Sequence, residues 1–170
     1  MNIFNIHLEF NREELFSAIE RRIAECKPGY VCVCDSSVLS RTYNEPEYRK
    51  VINGAFVNSC DGSSICTLAT KLYGGKLESV NGPEIFAHYT HIPCKQVILG
   101  NTEAIVQMVR DKLHEEGVDD SHITHMQLPF CKVDEFDYKG IAEEINREGY
   151  DIIWVSLGNP KQEIFMSKML

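Results

Sequence analysis

The sequence predicts an α/β fold, with a Rossmann-like, mainly parallel sheet and helices on both faces. Short apolar runs alternate with longer segments of helical periodicity along most of the chain. Several apolar runs end at a glycine or an Asp-Gly pair and lead directly into a helical pattern. Strands separated by helices pair in parallel, and such sheets are covered on both sides. A length of 170 residues suits one core and predicts a single domain over residues 1–170.

The N-terminal part of the chain predicts a strand, a helix and a second strand. Apolar and polar residues alternate over residues 2–10, which favours a strand with one exposed face. Asn11 and Glu14 have the spacing of a capping box, and the Lys-Pro-Gly sequence at 27–29 ends the helix that follows them. The apolar residues 30–34 predict a short buried strand.

The middle of the chain predicts a strand between two helices. A helical segment over residues 47–52 precedes an apolar strand at 55–60, and helical periodicity returns over residues 63–73. Pro83 predicts the start of a further helix. Proline lacks a backbone N–H, and its absence costs nothing in the first helical turn, where the N–H groups have no partner within the helix. A strand that leads directly into a helix is typical of a parallel sheet.

Strands and helices alternate regularly in the C-terminal half. The predicted strands there are residues 96–99, 122–128 and 152–157, and the predicted helices are residues 102–116 and 138–147. We expect the strands at 96–99 and 152–157, together with those at 30–34 and 55–59, to form the centre of the sheet.

The composition excludes several classes of protein. A net charge of −8 and a pI near 5.2 argue against a nucleic-acid binder, for which a basic surface is the first sign. No apolar run approaches the roughly 20 residues of a membrane span. The seven cysteines are an odd number without a Cys-x-x-Cys spacing, which indicates core thiols in a reducing cytoplasm rather than a zinc site. Neither a metal nor a cofactor is expected.

The Asp-Gly pair at 61–62 is the first candidate for chemistry. It follows the predicted strand at 55–60, and ligands of parallel sheets bind at the carboxyl ends of the strands. A carboxylate at that edge is placed to act as a base. The alternative is a helix cap, because an aspartate before a helix satisfies unpaired N–H groups.

Two further strand ends predict anion-binding turns. The residues concerned are Gly100 and Asn101 after one strand, and Gly158, Asn159, Lys161 and Gln162 after another. A helix that begins there directs its N–H groups and its positive dipole end at the sheet edge, which suits an anionic ligand. The alternative is an ordinary structural turn. Neither the dinucleotide fingerprint nor the P-loop is present. We expect Asp61, Gly100 and Gly158 to line one cleft.

Together these motifs resemble those of the WecG/TagA/CpsF glycosyltransferases, glycosyltransferase family twenty-six. The most specific match is Val-Ser-Leu-Gly-Asn-Pro-Lys-Gln-Glu at 155–163, where Pro-Lys-Gln-Glu follows a Leu-Gly strand end. The Asp-Gly pair at 61–62 and the Leu-Gly turn at 99–100 occur in the family's order and spacing. Gly-Gly-Lys-Leu at 74–77 and Val-Asn-Gly-Pro-Glu at 80–84 are looser matches.

The resemblance implies an inverting, metal-independent transfer of an N-acetylmannosamine-type sugar from a UDP donor to a polyprenyl-diphosphate-linked sugar. Such a transfer serves cell-surface polysaccharide or teichoic acid synthesis, in the cytoplasm at the inner face of a bacterial membrane. Asp61 matches the family's proposed base, which takes the proton of the acceptor hydroxyl. The residues expected to bind substrate are Asp35, Ser36, Gly62, Gly100, Asn101, Gly158, Asn159, Lys161 and Gln162.

The sequence departs from the family pattern in three places. Asp35 and Ser36 stand where the family has a Thr-x-Asn pattern, and Ser79 stands near the family's arginine. The chain also stops at Leu170, before the basic tail through which the family contacts membrane. We therefore expect a C-terminally short chain whose peripheral membrane contact depends on that tail. A homo-oligomer is consistent with the family.

Two other functions compete with this one. A catalytically weak or inactive nucleotide-sugar binding domain, or an assembly partner, would keep the fold and the turns without the arginine and the tail. An Asp-nucleophile hydrolase or phosphotransferase is disfavoured, because the sequence places no carboxylate beside Asp61 to help hold Mg²⁺.

Overall fold

The computed structural model describes residues 1–170, which form two compact units, Met1–Ile85 with Leu170 and Phe86–Met169. Each unit contains parallel strands and helices, so the predicted α/β class with a mainly parallel sheet is confirmed. The expected single sheet centre is not observed, because the strands within 30–34 and 55–60 pair with each other, and those within 96–100 and 152–156 belong to a separate three-stranded sheet. One domain over the whole chain stays a prediction.

Two adjacent parallel strands position the candidate base in the first unit. Its elements are β1 (Asn2–Ile3), β2 (Ile6–His7), α1 (Arg12–Ala24), β3 (Val31–Cys34), α2 (Ser36–Asn44), α3 (Pro46–Gly54), β4 (Val57–Cys60) and α4 (Ser63–Tyr73). β3 pairs with β4 in parallel, with Cys34 opposite Cys60. The C-terminal ends of both strands therefore lie side by side, and α2 and α4 begin directly after them.

The N-terminal segment is a hairpin, which corrects the prediction of one strand over residues 2–10. Ile3 pairs with Ile6 in an antiparallel ladder, and Phe4 and Asn5 form the turn between them with φ angles of 50° and 63°. Both angles lie in the left-handed region that two-residue hairpin turns require. Glu9 then bridges to Ser59 in parallel. Alternating polarity alone does not distinguish a continuous strand from a tight hairpin.

Sequence periodicity does not predict α2, although its capping residue is recognisable. Asp35 precedes the helix, and its carboxylate accepts a hydrogen bond from the N–H of Val38 at 2.8 Å. The inner face of the helix buries Val38, Leu39 and Thr42. In α1, Asn11 caps the helix as predicted, because its side chain accepts hydrogen bonds from the first turn. The reciprocal bond of a capping box does not form, because the Asn11 N–H donates to Glu9 at 2.8 Å rather than to Glu14.

The second unit is built around a three-stranded parallel sheet. α5 (Gly82–Thr90) spans the division between the units and is followed by β5 (Gln96–Gly100), α6 (Glu103–Glu115), β6 (Ile123–Met126), a 3₁₀ turn (Val133–Glu135), α7 (Tyr138–Glu148), β7 (Ile152–Ser156) and α8 (Lys161–Met169). The strand order is β6-β5-β7. β5 is buried along its whole length, as expected for a central strand.

Alternate side chains of β5 enter two separate cores. Val97 and Leu99 pack with Ile145 of α7 and Phe165 of α8, whereas Ile98 packs in a second cluster. That second cluster contains residues of α6. Because successive side chains of a strand point to opposite faces, helices cover this sheet on both sides. The structure contains no helix with the length and apolar character that crossing a bilayer requires.

Candidate active site

Asp61 lies in the turn between β4 and α4, and the backbone of this turn is anchored by hydrogen bonds. The Asp61 N–H donates to the carbonyl of Cys34, at the end of β3, at 2.9 Å. The Gly62 N–H donates to the Ser79 hydroxyl at 2.8 Å, and that hydroxyl donates to the Cys60 carbonyl at 3.2 Å. Gly62 has a φ of 111°, which favours glycine.

The Asp61 side chain does not cap the helix that follows it. The N-cap of α4 is Gly62, and no side chain makes a capping hydrogen bond there. The structural alternative for Asp61, a helix cap, is therefore not observed. Its carboxylate remains available for chemistry at the end of β4.

The surroundings of Asp61 strengthen it as a base. Partial burial raises the pKa of the Asp61 carboxyl above its ordinary value, and the charges of Asp35 and Glu84 raise it further. These two carboxylates correct the expectation that Asp61 has none beside it. No group of three or more His, Cys, Asp or Glu side chains is arranged to hold a metal ion. A carboxylate with a raised pKa accepts a proton more readily, as general-base catalysis requires.

Both neighbouring carboxylates are fixed by backbone contacts. Asp35 caps α2, as described above. Glu84 and Asn81 exchange hydrogen bonds with each other's N–H groups at 3.0 and 2.9 Å, and Glu84 also forms an ion pair with Arg12. Ser36, the first residue of α2, is exposed. Substrate binding by Asp35, Ser36 and Gly62 stays a prediction.

A pocket of about 500 Å³ adjoins the turn that carries Asp61. Its lining consists of Ser63, Cys66, Thr67, Thr70, Lys71, Leu77 and Ser79. Lys71 is the single cation in this lining. Sequence reasoning did not single out this polar face of α4. The three- and four-residue spacing of its hydroxyl side chains, followed by a lysine, is the signal that could have found it.

In the second unit, the turn after β5 requires glycine. Gly100 has a φ of 87°, and a Cβ at this position would lie 2.7 Å from the carbonyl oxygen of Ser156 on β7. Asn101 also has a positive φ, of 61°, and its side-chain amide donates to the Ser156 hydroxyl at 2.7 Å. Gly100 and Ser156 are paired between adjacent strands. The turns after β5 and β7 therefore lie at the same edge of this sheet.

A histidine that sequence reasoning left without a role supports the turn after β5. The ring of His125 is almost fully buried, and its Nε2 lies 3.0 Å from the Gly100 carbonyl oxygen. Its Nδ1 lies 2.7 Å from a carboxylate oxygen of Glu103, the first residue of α6. His125 thus links β6, the Gly100 turn and the start of α6. A sheet register is needed to recognise this link, because His125 is 22 residues from Glu103 and 25 residues from Gly100 along the chain.

The turn after β7 is closed by the side chain of Gln162. The Gly158 N–H donates to the Gln162 amide oxygen at 3.1 Å, and Gly158 has a φ of 77°. The Gln162 amide nitrogen donates to Glu163 at 3.1 Å. Glu163 is 2% exposed, and its other carboxylate oxygen has no hydrogen-bond partner. The peptide bond between Asn159 and Pro160 is cis.

Lys161 is partly buried and contacts residues of its own unit. Its ammonium donates to the Cys131 carbonyl and lies 4.8 Å from the ring centroid of Phe136. The structure thus places Asp35, Ser36, Asp61 and Gly62 in the first unit, and Gly100, Asn101, Gly158, Asn159, Lys161 and Gln162 in the second. A phosphate contact for Lys161, and one cleft shared by Asp61, Gly100 and Gly158, stay predictions.

Comparison with known proteins identifies the family directly. The model of the glycosyl transferase WecG/TagA/CpsF family matches residues 1–170, which is the whole chain. No curated protein matches the chain.

Proposed function

Because the chain belongs to the WecG/TagA/CpsF family of glycosyltransferases, we propose that it is an inverting, metal-independent transferase. It moves an N-acetylmannosamine-type sugar from a UDP donor to a polyprenyl-diphosphate-linked sugar. The reaction takes place at the inner face of the membrane and contributes to cell-surface polysaccharide or teichoic acid. The observation that carries this proposal is the environment of Asp61.

Asp61 is the base in this proposal. An inverting transfer is one displacement, in which the acceptor hydroxyl attacks the anomeric carbon, the bond to UDP breaks, and a carboxylate takes the hydroxyl proton. Asp61 is not used as a helix cap and its pKa is raised by burial and by neighbouring carboxylates. The anchored turn positions its backbone, which supports proton transfer in a defined geometry.

The turns after β5 and β7 bind the UDP donor. Negative charge grows on the leaving diphosphate, and N–H groups and helix N-termini at these turns stabilise it. Gly100 and the residues around Gly158 lie at the ends of neighbouring strands of one sheet, so two helix starts are available to one ligand. Gln162, which is oriented by Glu163, contacts the sugar or a phosphate.

Replacement of Asp61 by Asn tests the base. Asp61→Asn preserves the size of the side chain and removes its ability to accept a proton. We expect UDP affinity to stay nearly unchanged and kcat to fall by roughly two to four orders of magnitude. Calorimetric titration with UDP and an assay of UDP release with the acceptor measure the two effects separately.

Asp111→Asn is the matched control. The substitution makes the same chemical change at an exposed residue of α6, away from both candidate sites. Its kcat should equal that of the wild type. Equal turnover in Asp61→Asn and Asp111→Asn would exclude Asp61 as the base. A wild-type chain that binds UDP without any transfer would support the nucleotide-sugar binding function instead.

A further inference from the structure

An apolar groove of about 440 Å³ lies between α2, α4 and the N-terminal hairpin of the first unit. Its lining consists of Phe4, Ser36, Leu39, Ser40, Tyr43, Ser64, Ile65 and Leu68. Phe4, Tyr43 and Leu68 are 50%, 68% and 39% exposed. Large apolar side chains exposed together in this way are unusual on a monomer and mark binding surfaces.

The groove has a polar end and an apolar end. On α4, Ser64 belongs to the first turn, three residues after Asp61, and Leu68 follows one turn later, about 6 Å along the helix. On α2, Ser36 is the first residue, and Tyr43 lies two turns further. Both helices begin at the C-terminal ends of paired strands. Ser36 and Ser64 therefore lie beside the turn of the candidate base, and the exposed Tyr43 and Leu68 lie away from it. Ser40 and the buried side chains of Leu39 and Ile65 complete the lining.

Phe4, at the apolar end, has a backbone conformation that aromatic residues disfavour. Phe4 occupies the first position of the two-residue hairpin turn with a φ of 50°. Asn, Asp and Gly are the residues that favour this position, and a bulky side chain there is an outlier. The Phe4 ring packs edge-on against Tyr43, with centroids 6.1 Å apart. Such strain, combined with exposure, points to a ligand rather than to folding.

We propose that this groove binds the isoprenoid chain of the lipid-linked acceptor, with the sugar directed to Asp61 at the serine end. The inference rests on the proposed function. An amphiphile whose polar end reaches the base explains both ends of the groove. A second copy of the chain, or a bilayer surface, would use the exposed aromatic residues and leave the serines next to Asp61 unexplained.

Prenyl diphosphates of two chain lengths test the groove. The probes are farnesyl diphosphate, dimethylallyl diphosphate and inorganic diphosphate, each titrated into the wild type and into a Phe4→Asn, Tyr43→Ser double variant. The wild type should bind the longer chain at least about tenfold more tightly than the shorter one, the gain expected from roughly 55 Å² of apolar contact. In the double variant this chain-length preference should disappear, while affinity for UDP stays the same.

Two controls separate this role from a structural one. Asn suits the left-handed backbone of residue 4, so the double variant should not lose its fold, which its circular dichroism spectrum and urea midpoint check. Met108→Ser removes an equally exposed apolar side chain from α6 and should keep the preference.

If the wild type binds UDP but shows no chain-length preference, the assignment of the groove to the isoprenoid chain is wrong, and the proposed function is unaffected. A wild type that neither binds UDP nor transfers sugar would refute the proposed function itself. A sedimentation shift towards monomer in the double variant, without a change in prenyl binding, would assign the face to self-association. If the double variant lost only its binding to anionic vesicles, the groove would be assigned to contact with a membrane surface.

Discussion

At the scale of single residues, the charge of Asp35 adjusts the base strength of Asp61. Asp35→Asn keeps an efficient N-cap on α2 and removes a negative charge that raises the pKa of Asp61. The pKa of Asp61 should therefore fall. A base with a lower pKa is deprotonated at lower pH, so the acidic limb of the profile of kcat/KM against pH should move to lower pH. Steady-state rates from acidic to neutral pH measure this shift.

The position of the limb, rather than the size of the rate, is the informative quantity, because Asp35 is also predicted to bind substrate. Asp111→Asn should leave the limb where it is in the wild type. A limb that does not move in Asp35→Asn would mean that the group titrating in the profile is not Asp61.

The contrast between Asp61 and Ser79 shows which part of the candidate site can be predicted from the sequence. Asp61 could be predicted, because an Asp-Gly pair between an apolar run and a helical pattern marks a strand end. Ser79 could not, because its contact with Gly62 joins residues 17 positions apart and depends on the path of the intervening chain. In the sequence, nothing around Ser79 indicates a contact with Gly62. In the structure, its hydroxyl holds the turn of the candidate base.

At the scale of elements, the edge formed by β5 and β7 depends on the missing side chain of Gly100. Gly100→Ala would place a Cβ 2.7 Å from a backbone oxygen of β7, at a φ of 87°. We expect the free energy of unfolding to fall by about 2–4 kcal/mol, from backbone strain together with overpacking. Urea denaturation monitored by Trp154, which belongs to β7, measures the loss.

Gly149→Ala is the matched control for this prediction. Gly149 ends α7 with a φ of 67°, and its Cβ would meet no atom within 4 Å. It should therefore lose only the strain contribution, about 1–2 kcal/mol. Equal losses at the two glycines would show that the close approach of β5 and β7 can relax at no measurable cost.

Elements with strong local patterns were predictable, and elements defined by their partners were not. The apolar runs at 96–99 and 152–157 correspond to β5 and β7 within one residue. The helix α2 is not predictable from periodicity, because Ser, Thr and Asn are poor helix formers and make up most of its nine residues. The N-terminal hairpin cannot be distinguished from one strand by sequence, because Phe4, at its turn, is not a typical turn residue.

At the scale of the whole molecule, periodicity predicts the α/β class but not the division into two units. Alternating strands and helices indicate parallel pairing, whereas the partner of each strand depends on contacts between distant residues. β3 pairs with β4, and β5 pairs with β6 and β7. The predicted donor turns and the candidate base consequently belong to different units of the chain.

This division predicts that donor and acceptor leave separate footprints. UDP should slow amide hydrogen exchange at the turns around Gly100 and Gly158, because its phosphates would accept hydrogen bonds from N–H groups there. Farnesyl diphosphate should slow exchange in α2 and α4, which line the apolar groove. Exchange followed by mass spectrometry, with each ligand alone, distinguishes the two patterns. If UDP protected only residues 61–73, the donor site would belong to the first unit. The turns after β5 and β7 would then have a structural role only.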